Sequence, residues 1–485
     1  MNFLSTVGAS TFINISAVAL SFYLTASLIF SVRFSTTQGY STPCLLYCLN
    51  TFSVFFVFMT AILFGFDLDN TNNLYLYNQH FQMLFLLLVC FVSLVSRDFF
   101  TSKNVTKFEY DILLMFVFIS SICLCFANDF LIFYLAIELQ SLTFYVFATF
   151  ERTSEYSSES GLKYFVFGAI ISCFLLLGFS VIYLTLGCSS FETIFSMVAL
   201  QNDPFLYIGV LFFLIALLFK IGAAPFHSWL CDVYDGSVLS VTLLFATAPK
   251  IILFSIIVKF FFFAAGDLKT IVTPFLFCAS LLSIALGSFS AIYQKRVKRL
   301  FAYSTIAHTG FILLAVLALS ADSASSAIFY VVVYSMLTLL LFSVLVYSTS
   351  ITKNFPKYLV NWISAGSKNS MLTITFTLVL FSIAGIPPLF GFFSKFFVLL
   401  SIIGETYYFT GLFVVIVSSI ACFYYIRLIK MFYFTKSSKS NLWLSTSSGR
   451  YSEGVIGLFL FINTTFFVWP ELLSSFSLVT SIILF

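Results

Sequence analysis

At 485 residues, 61% hydrophobic and only 9% charged, the chain carries far less charge than a soluble domain, for which about 25% is usual. That composition excludes a soluble enzyme and an enzyme on a single anchor, and a net charge of +4 gives no argument for nucleic acid. No polar stretch is long enough to fold separately, so the chain reads as one all-α polytopic membrane bundle embedded in a lipid bilayer.

The ten cysteines are scattered, mostly within apolar runs. Cys123 and Cys125 are two apart, and Cys44 and Cys48 lie four apart on one helix face. Neither spacing suits zinc or an iron–sulfur cluster, so no metal site is expected and the cysteines read as small core residues. The first apolar segment lacks a basic leader and a small-residue cleavage site, so no signal or transit peptide is expected. Phenylalanine accounts for 68 residues against four Trp. No packing rule demands that bias, and AT-rich codons in an organelle genome are its simplest source.

Apolar segments run at approximately 11–31, 44–65, 80–96, 111–127, 129–149, 163–186, 205–226, 238–263, 271–291, 299–319, 326–349, 371–400, 403–429 and 455–483. They predict about fourteen transmembrane helices, since a span needs roughly 20 apolar residues. The polar stretch from Lys436 to Arg450 is Ser-rich and basic and reads as a solvated loop.

Loop charge supports this count. Numbering the loops from one to thirteen, the odd loops and their flanks hold eighteen of the 23 basic residues. They include Arg97, Lys103 and Lys107 in the third loop, Lys295, Arg296, Lys298 and Arg299 in the ninth, and Lys353, Lys357 and Lys368 in the eleventh. The even loops hold only Lys259 and Lys269. By the positive-inside rule the odd loops face the cytoplasm or matrix, and both termini face the opposite compartment.

Three lysines and one glutamate remain inside the spans. Glu138 is ten residues from Asn128 and eleven from Thr149, ~15 Å from either end at a rise of 1.5 Å per residue. A charge at that depth needs a partner or a water-filled cavity. Gln140, Ser141 and Tyr145 nearby could hold water or simply join helices. Lys250 follows Pro249 near the centre of segment eight, too deep to snorkel. It reads as a structural ion-pair partner or as a lysine that passes a proton, because burial favours the neutral amine. Lys220 stands in Lys220-Ile-Gly222-Ala-Ala-Pro225-Phe-His227, where Gly222 and Pro225 break the helix. Lys395 follows Gly385-Ile-Pro387-Pro388-Leu-Phe-Gly391, a second break that explains a segment of about 30 residues. Breaks inside a membrane bundle line cavities or ion sites. We expect Glu138, Lys220, Lys250 and Lys395 to share such a cavity and to move protons. His227, beyond the first break, and His308, in segment ten, are secondary candidates, each with a structural alternative.

Both breaks share the pattern Gly-x-x-Pro-apolar, and Pro225 and Pro388 are 163 residues apart, five segments on. An odd number of segments reverses orientation, so segments four to eight and nine to thirteen read as two inverted five-helix repeats. Residues 1–110 then hold three leading helices, 111–263 the first repeat, 264–430 the second, and 431–485 the basic loop and a last helix. There is no phosphate-binding loop, dinucleotide fingerprint or haem motif, so no cofactor is expected on this chain.

The runs Leu135-Ala-Ile-Glu138-Leu-Gln-Ser-Leu-Thr-Phe-Tyr-Val, Ser160-Gly-Leu-Lys163-Tyr-Phe, Phe219-Lys220-Ile-Gly-Ala-Ala-Pro-Phe-His227-Ser-Trp, Ala248-Pro-Lys250 and Ala384-Gly-Ile-Pro-Pro-Leu-Phe-Gly-Phe-Phe-Ser-Lys395 resemble the NADH dehydrogenase (ubiquinone) subunit 2 family of mitochondrial complex I. The resemblance spans segments four to thirteen. It implies an antiporter-like, proton-translocating subunit of the membrane arm in the mitochondrial inner membrane. Odd loops would face the matrix and both termini the intermembrane space. Partners would be other membrane-arm subunits, including neighbouring antiporter-like ones. NADH, FMN, iron–sulfur clusters and ubiquinone would belong to partner subunits. It also implies that Glu138 pairs with Lys220, that Lys250 lies on the central axis and that Lys395 lies toward the exit. Two family prolines after Trp229 are replaced here, by Cys231 and Val238. A stand-alone proton/cation antiporter and an inert membrane scaffold are the alternatives.

Overall fold

The computed structural model describes residues 73–103, 108–151, 153–198, 204–263, 269–317, 320–352, 355–363, 369–435 and 449–484. Apolar segments one and two, and most of the basic loop from Lys436, lie outside them. Among the described residues every regular element is helical, apart from two isolated β-bridges. Among the described residues nine helical stretches are long and apolar enough to cross a membrane.

In chain order the helices are α1 (Asn73–Ser102), α2 (Phe108–Cys125), α3 (Phe130–Ala148), α4 (Glu155–Leu186), α5 (Phe191–Val198), α6 (Pro204–Ile221), α7 (Ser228–Gly236), α8 (Leu239–Ala246), α9 (Ala248–Phe263), α10 (Lys269–Tyr293), α11 (Val297–Leu317), α12 (Ala321–Thr352), α13 (Ser370–Ala384), α14 (Phe390–Gly404), α15 (Tyr408–Tyr433), α16 (Arg450–Thr465) and α17 (Glu471–Leu484). The long helix α12 is the hub. It packs against α1, α8, α9, α11, α13, α14, α16 and α17, and 94% of its most apolar stretch is buried. Helices α4 and α15 lie at the periphery, each with only 33% of that stretch buried. They present side chains such as Leu162, Val166, Leu412 and Ile416 outward, as helices facing lipid do.

Four predicted segments are interrupted. Segments seven and twelve break at the glycine–proline motifs. Gly222 and Gly385 take φ of 75° and 86°, a region glycine enters without steric cost. At both breaks the first residues of the loop fold back on the ending helix. Ala223 N–H donates to the Leu218 carbonyl at 3.0 Å, and Ile386 N–H donates to that of Phe381 at 3.1 Å. The matched prolines each follow a cis peptide bond, Ala224–Pro225 and Pro387–Pro388. Segment eight divides at Thr247, whose hydroxyl donates to the Leu243 carbonyl at 2.8 Å. Segment fourteen, expected as one helix, is two, α16 and α17. Pro470 precedes α17 and has no N–H with which to continue α16.

The loops gather at two ends. At one, Phe130 N–H donates to the Ser189 carbonyl and Phe191 N–H to that of Asn128, tying the fourth loop to the sixth. At the other, Val297 N–H donates to the Lys357 carbonyl and Leu359 N–H to that of Lys295, tying the ninth to the eleventh. There a chain of alternating charges joins three helix ends. Glu159 and Asp232 take Lys163 at 2.7 and 3.0 Å, Asp232 takes Arg299 at 3.2 Å, and Asp235 takes Arg299 at 3.0 Å and also Arg296. Cys231 is buried within α7.

Candidate functional site

Helix α6 carries Lys220 in its last turn. The carbonyls a helix leaves unpaired at its C-terminus favour a cation there. The break is held by Trp229 of α7, whose indole N–H donates to the Phe219 carbonyl at 3.1 Å. Its ring stacks on Tyr164 of α4 at 4.7 Å and on Phe219 at 5.2 Å. The helix end bearing Lys220 is therefore fixed from two sides.

Lys220 and Lys250 line the same cavity, of about 40 Å³, together with Gln140, Ser141, Tyr164 and Tyr234. One water needs roughly 10–15 Å³ of such space, so a few fit. Gln140 Nε2 is buried and makes no hydrogen bond within the protein, and bridging water is the usual partner for such an atom. Glu138 stands at the edge of this group, not in the cavity wall. Its charge acts on Lys220, but no ion pair within 4.0 Å joins them among the described residues. Ser141 donates to Glu138 Oε2 at 3.3 Å, and Oε1 is buried without a protein partner. Leu135 and Leu142, on the same helix, face outward, so Glu138 is at the rim of the bundle.

Lys250 is only 5% exposed. It is the third residue of α9, an N-terminal position that does not favour a cation. Its ammonium donates to the Tyr334 hydroxyl of α12 at 3.2 Å. The Tyr334 ring lies 5.3 Å from that of His308, and His308 Nδ1 bonds the Tyr330 hydroxyl at 2.7 Å. A second cavity, of about 20 Å³, is lined by His308, Tyr330, Tyr334, Thr338, Ser382 and Ser394, among others. Lys395 lies beyond it and does not share the first cavity. Its ammonium donates to the Ala384 carbonyl at 2.6 Å, at the C-terminus of the broken half-helix α13, and stands 5.6 Å from the Phe311 ring. Both Lys250 and Lys395 act electrostatically on His308. The structure thus places Lys220 and Lys250 on the wall of one cavity, with Tyr334 and His308 lying between Lys250 and Lys395.

His227 is partly buried ahead of α7, with Nδ1 lacking a protein hydrogen-bond partner, and it does not line either cavity. Sequence reasoning missed Tyr330 and Tyr334. Their signal was two phenols one turn apart in a span with no charged residue. Among the described residues no group of three or more His, Cys, Asp or Glu side chains could hold a metal ion.

The family model described as "NADH:quinone oxidoreductase/Mrp antiporter, TM" matches residues 127–421. NADH-ubiquinone oxidoreductase chain 2 of Marchantia polymorpha is 35% identical over 461 residues, 92% of this chain and 92% of that one. NADH-quinone oxidoreductase subunit N of Pelagibacter ubique is 35% identical over 390 residues, 79% of this chain and 81% of that one. A chain of respiratory complex I from Thermus thermophilus, solved with bound aureothin, has the same fold. It matches with a TM-score of 0.76 at 22% identity, covering 95% of this chain and 98% of that one. A chain of the Mrp complex from Dietzia gives 0.78 at 16% identity, with 97% of each covered.

Proposed function

The chain belongs to the family of NADH-ubiquinone oxidoreductase chain 2 and NADH-quinone oxidoreductase subunit N, and from that premise we propose that it moves protons through a buried relay of Glu138, Lys220, Lys250 and Lys395. It is an antiporter-like membrane subunit of a proton-pumping enzyme complex. The observation that carries the relay is the shared cavity of Lys220 and Lys250 beside a broken helix. Redox chemistry elsewhere in the complex shifts the interaction between Glu138 and Lys220. In low dielectric a charge interaction at close range is worth several kcal/mol, enough to decide whether a lysine keeps its proton. Lys220 then yields its proton through water in the cavity to Lys250. Tyr334, His308 and the second cavity carry it toward Lys395, and from there it leaves the bundle.

The wider architecture follows the same reading: fourteen transmembrane helices, of which segments four to eight and nine to thirteen are inverted repeats. Two features support the repeats beyond the matched breaks. The bridge Asp129–Ser190 joins the first and third loops of the first repeat, and the bridge Arg296–Tyr358 joins the first and third loops of the second. They lie at opposite ends of the bundle, as inversion demands. NADH, flavin, iron–sulfur clusters and quinone then belong to partner subunits, and Glu138 at the rim faces a neighbouring membrane-arm subunit. The chain resides in the mitochondrial inner membrane, with odd loops toward the matrix.

The test has two stages. Solubilised membranes are run on a native gel, stained for NADH oxidation, and this chain is sought in the bands by mass spectrometry. Presence in a large active band is expected; a small inactive species would overturn assembly and favour a stand-alone transporter. Complexes carrying Lys250→Met are then returned to vesicles. Loss of NADH-driven acidification supports the relay, and unchanged acidification sinks it.

A further inference from the structure

Where loops three, five, seven, nine and eleven meet, a cavity of about 160 Å³ opens among their charged residues. It is lined by Lys103, Lys298, Lys357, Arg296, Glu151 and Asp235. Asp235 is already matched, since Arg296 and Arg299 both bind its carboxylate. That leaves three lysine amines and one carboxylate, Glu151. Among the described residues Lys103, Lys298 and Lys357 form no ion pair within 4.0 Å. Burial, and then the nearby charges of Lys103 and Lys357, push the Lys298 ammonium down to about 7, so two standing cations and a third amine that a bound anion would keep charged surround one space.

Their positions are held by aromatic rings. Lys103 lies 4.7 Å from the centre of the Phe99 ring, Lys298 5.4 Å from Phe355, and Lys357 5.7 Å from Tyr156. Lys298 also donates to the Ser237 carbonyl at 2.6 Å. Cation–π contacts of this kind fix a lysine without spending its charge. Each ammonium has three donors, and these contacts leave some of them for a ligand.

The cavity exceeds by roughly tenfold the 10–15 Å³ that one water needs, which suits a polyatomic anion better than a halide. A phosphate group offers several strong acceptors and up to two charges to meet three ammoniums. Basic pockets between transmembrane helices on the cytoplasmic or matrix side are places where acidic headgroups bind. We propose that this cavity binds a phosphate group, borne by an acidic phospholipid or by a soluble phosphate, through Lys103, Lys298 and Lys357. Glu151 opposes the anion and limits its affinity.

The test uses the assembled, delipidated complex in detergent. Its thermal unfolding is followed against inorganic phosphate and, separately, against phosphatidylglycerol in mixed micelles. One probe should raise the transition of the wild type saturably. Lys357→Gln should weaken that response roughly tenfold, the scale of one lost charge-assisted hydrogen bond, and Glu151→Gln should strengthen it. Saturation by phosphatidylglycerol alone assigns the phosphate to lipid; saturation by inorganic phosphate assigns it to a soluble compound. If Lys357→Gln does not assemble, Lys357→Arg and Glu151→Gln decide, the first expected to bind as wild type and the second more tightly. A wild type that responds to neither probe, as when an acidic segment of a partner fills the cavity, overturns the proposal. So does a response that Lys357→Gln leaves intact, or one that Glu151→Gln leaves unchanged or weakens.

Discussion

The Lys250 ammonium donates to the Tyr334 hydroxyl at 3.2 Å and stands 5.2 Å from the centre of the same ring. The two residues are 84 positions apart, on α9 and α12, and both are buried, so this contact joins two interior helices that are distant in sequence. The ring offers packing and the hydroxyl offers an acceptor. Tyr334→Phe separates the two roles. The variant complex should oxidise NADH and assemble normally, while proton movement per NADH falls about tenfold, equivalent to roughly 1.4 kcal/mol. Vesicle acidification measured alongside NADH consumption gives the ratio.

Glu138 and Lys220 interact without touching, so their coupling should be visible as non-additivity. Lys220→Met should abolish acidification, and Glu138→Gln should reduce it. If the carboxylate works through the lysine, the double variant is no worse than Lys220→Met alone, whereas independent sites would add. Rates of acidification for the four complexes close the cycle.

Much of this site was legible as residues and little of it as connections. Lysines inside apolar runs, and glycine and proline at the breaks, announce themselves in hydropathy and local chemistry. The short helices α5 and α7 do not, because eight or nine residues are too few for a periodic signal to stand out. The division at Thr247 did carry a signal, Pro249, which has no N–H to continue α8 and sits in the first turn of α9, although segment eight reads as one apolar run across it. Tyr334 could be seen as a polar atom in an apolar span, but its partner is fixed by how α12 packs on α9. The charges Lys163, Asp232, Asp235, Arg296 and Arg299 read as loop residues; their order as one alternating chain is a property of the fold.

The breaks constrain their glycines. At Gly385, with φ of 86°, an added Cβ would lie 2.9 Å from Lys395 Cδ, and at Gly222, with φ of 75°, one would lie 2.3 Å from Leu230 Cδ1. Alanine at either should cost about 1–3 kcal/mol from backbone strain alone. We expect a lower unfolding temperature for both. Gly385→Ala should also depress proton movement, because the displaced side chain is the lysine itself. Gly222→Ala displaces only a leucine, so thermal stability and acidification read together distinguish the two.

Asp235 holds two arginines of the ninth loop and α11 from its place in α7. Its side chain is 14% exposed, while those of Arg296 and Arg299 are 32% and 39% exposed. Asp235→Asn should therefore lower stability by about 1 kcal/mol, above an isolated surface pair but below a buried one. Salt should weaken the wild type toward the variant, since partly exposed pairs are screened at high ionic strength. Thermal unfolding at low and high salt checks both statements.

The placement of the lysines also bears on how the chain enters its membrane. A lysine at bilayer depth opposes insertion of its helix by roughly 2.5–3.5 kcal/mol. Helix α9 carries Lys250 in its first turn, but the hydroxyl that receives that lysine is synthesised 84 residues later. Until α12 arrives, α9 holds an amine with no partner from its own hub helix. This part of the polar interior is therefore completed only once α12 has been made. The early helices must wait beside the insertion machinery, or against one another, and stopping synthesis before Tyr334 would strand the first half with its costliest residue unmatched.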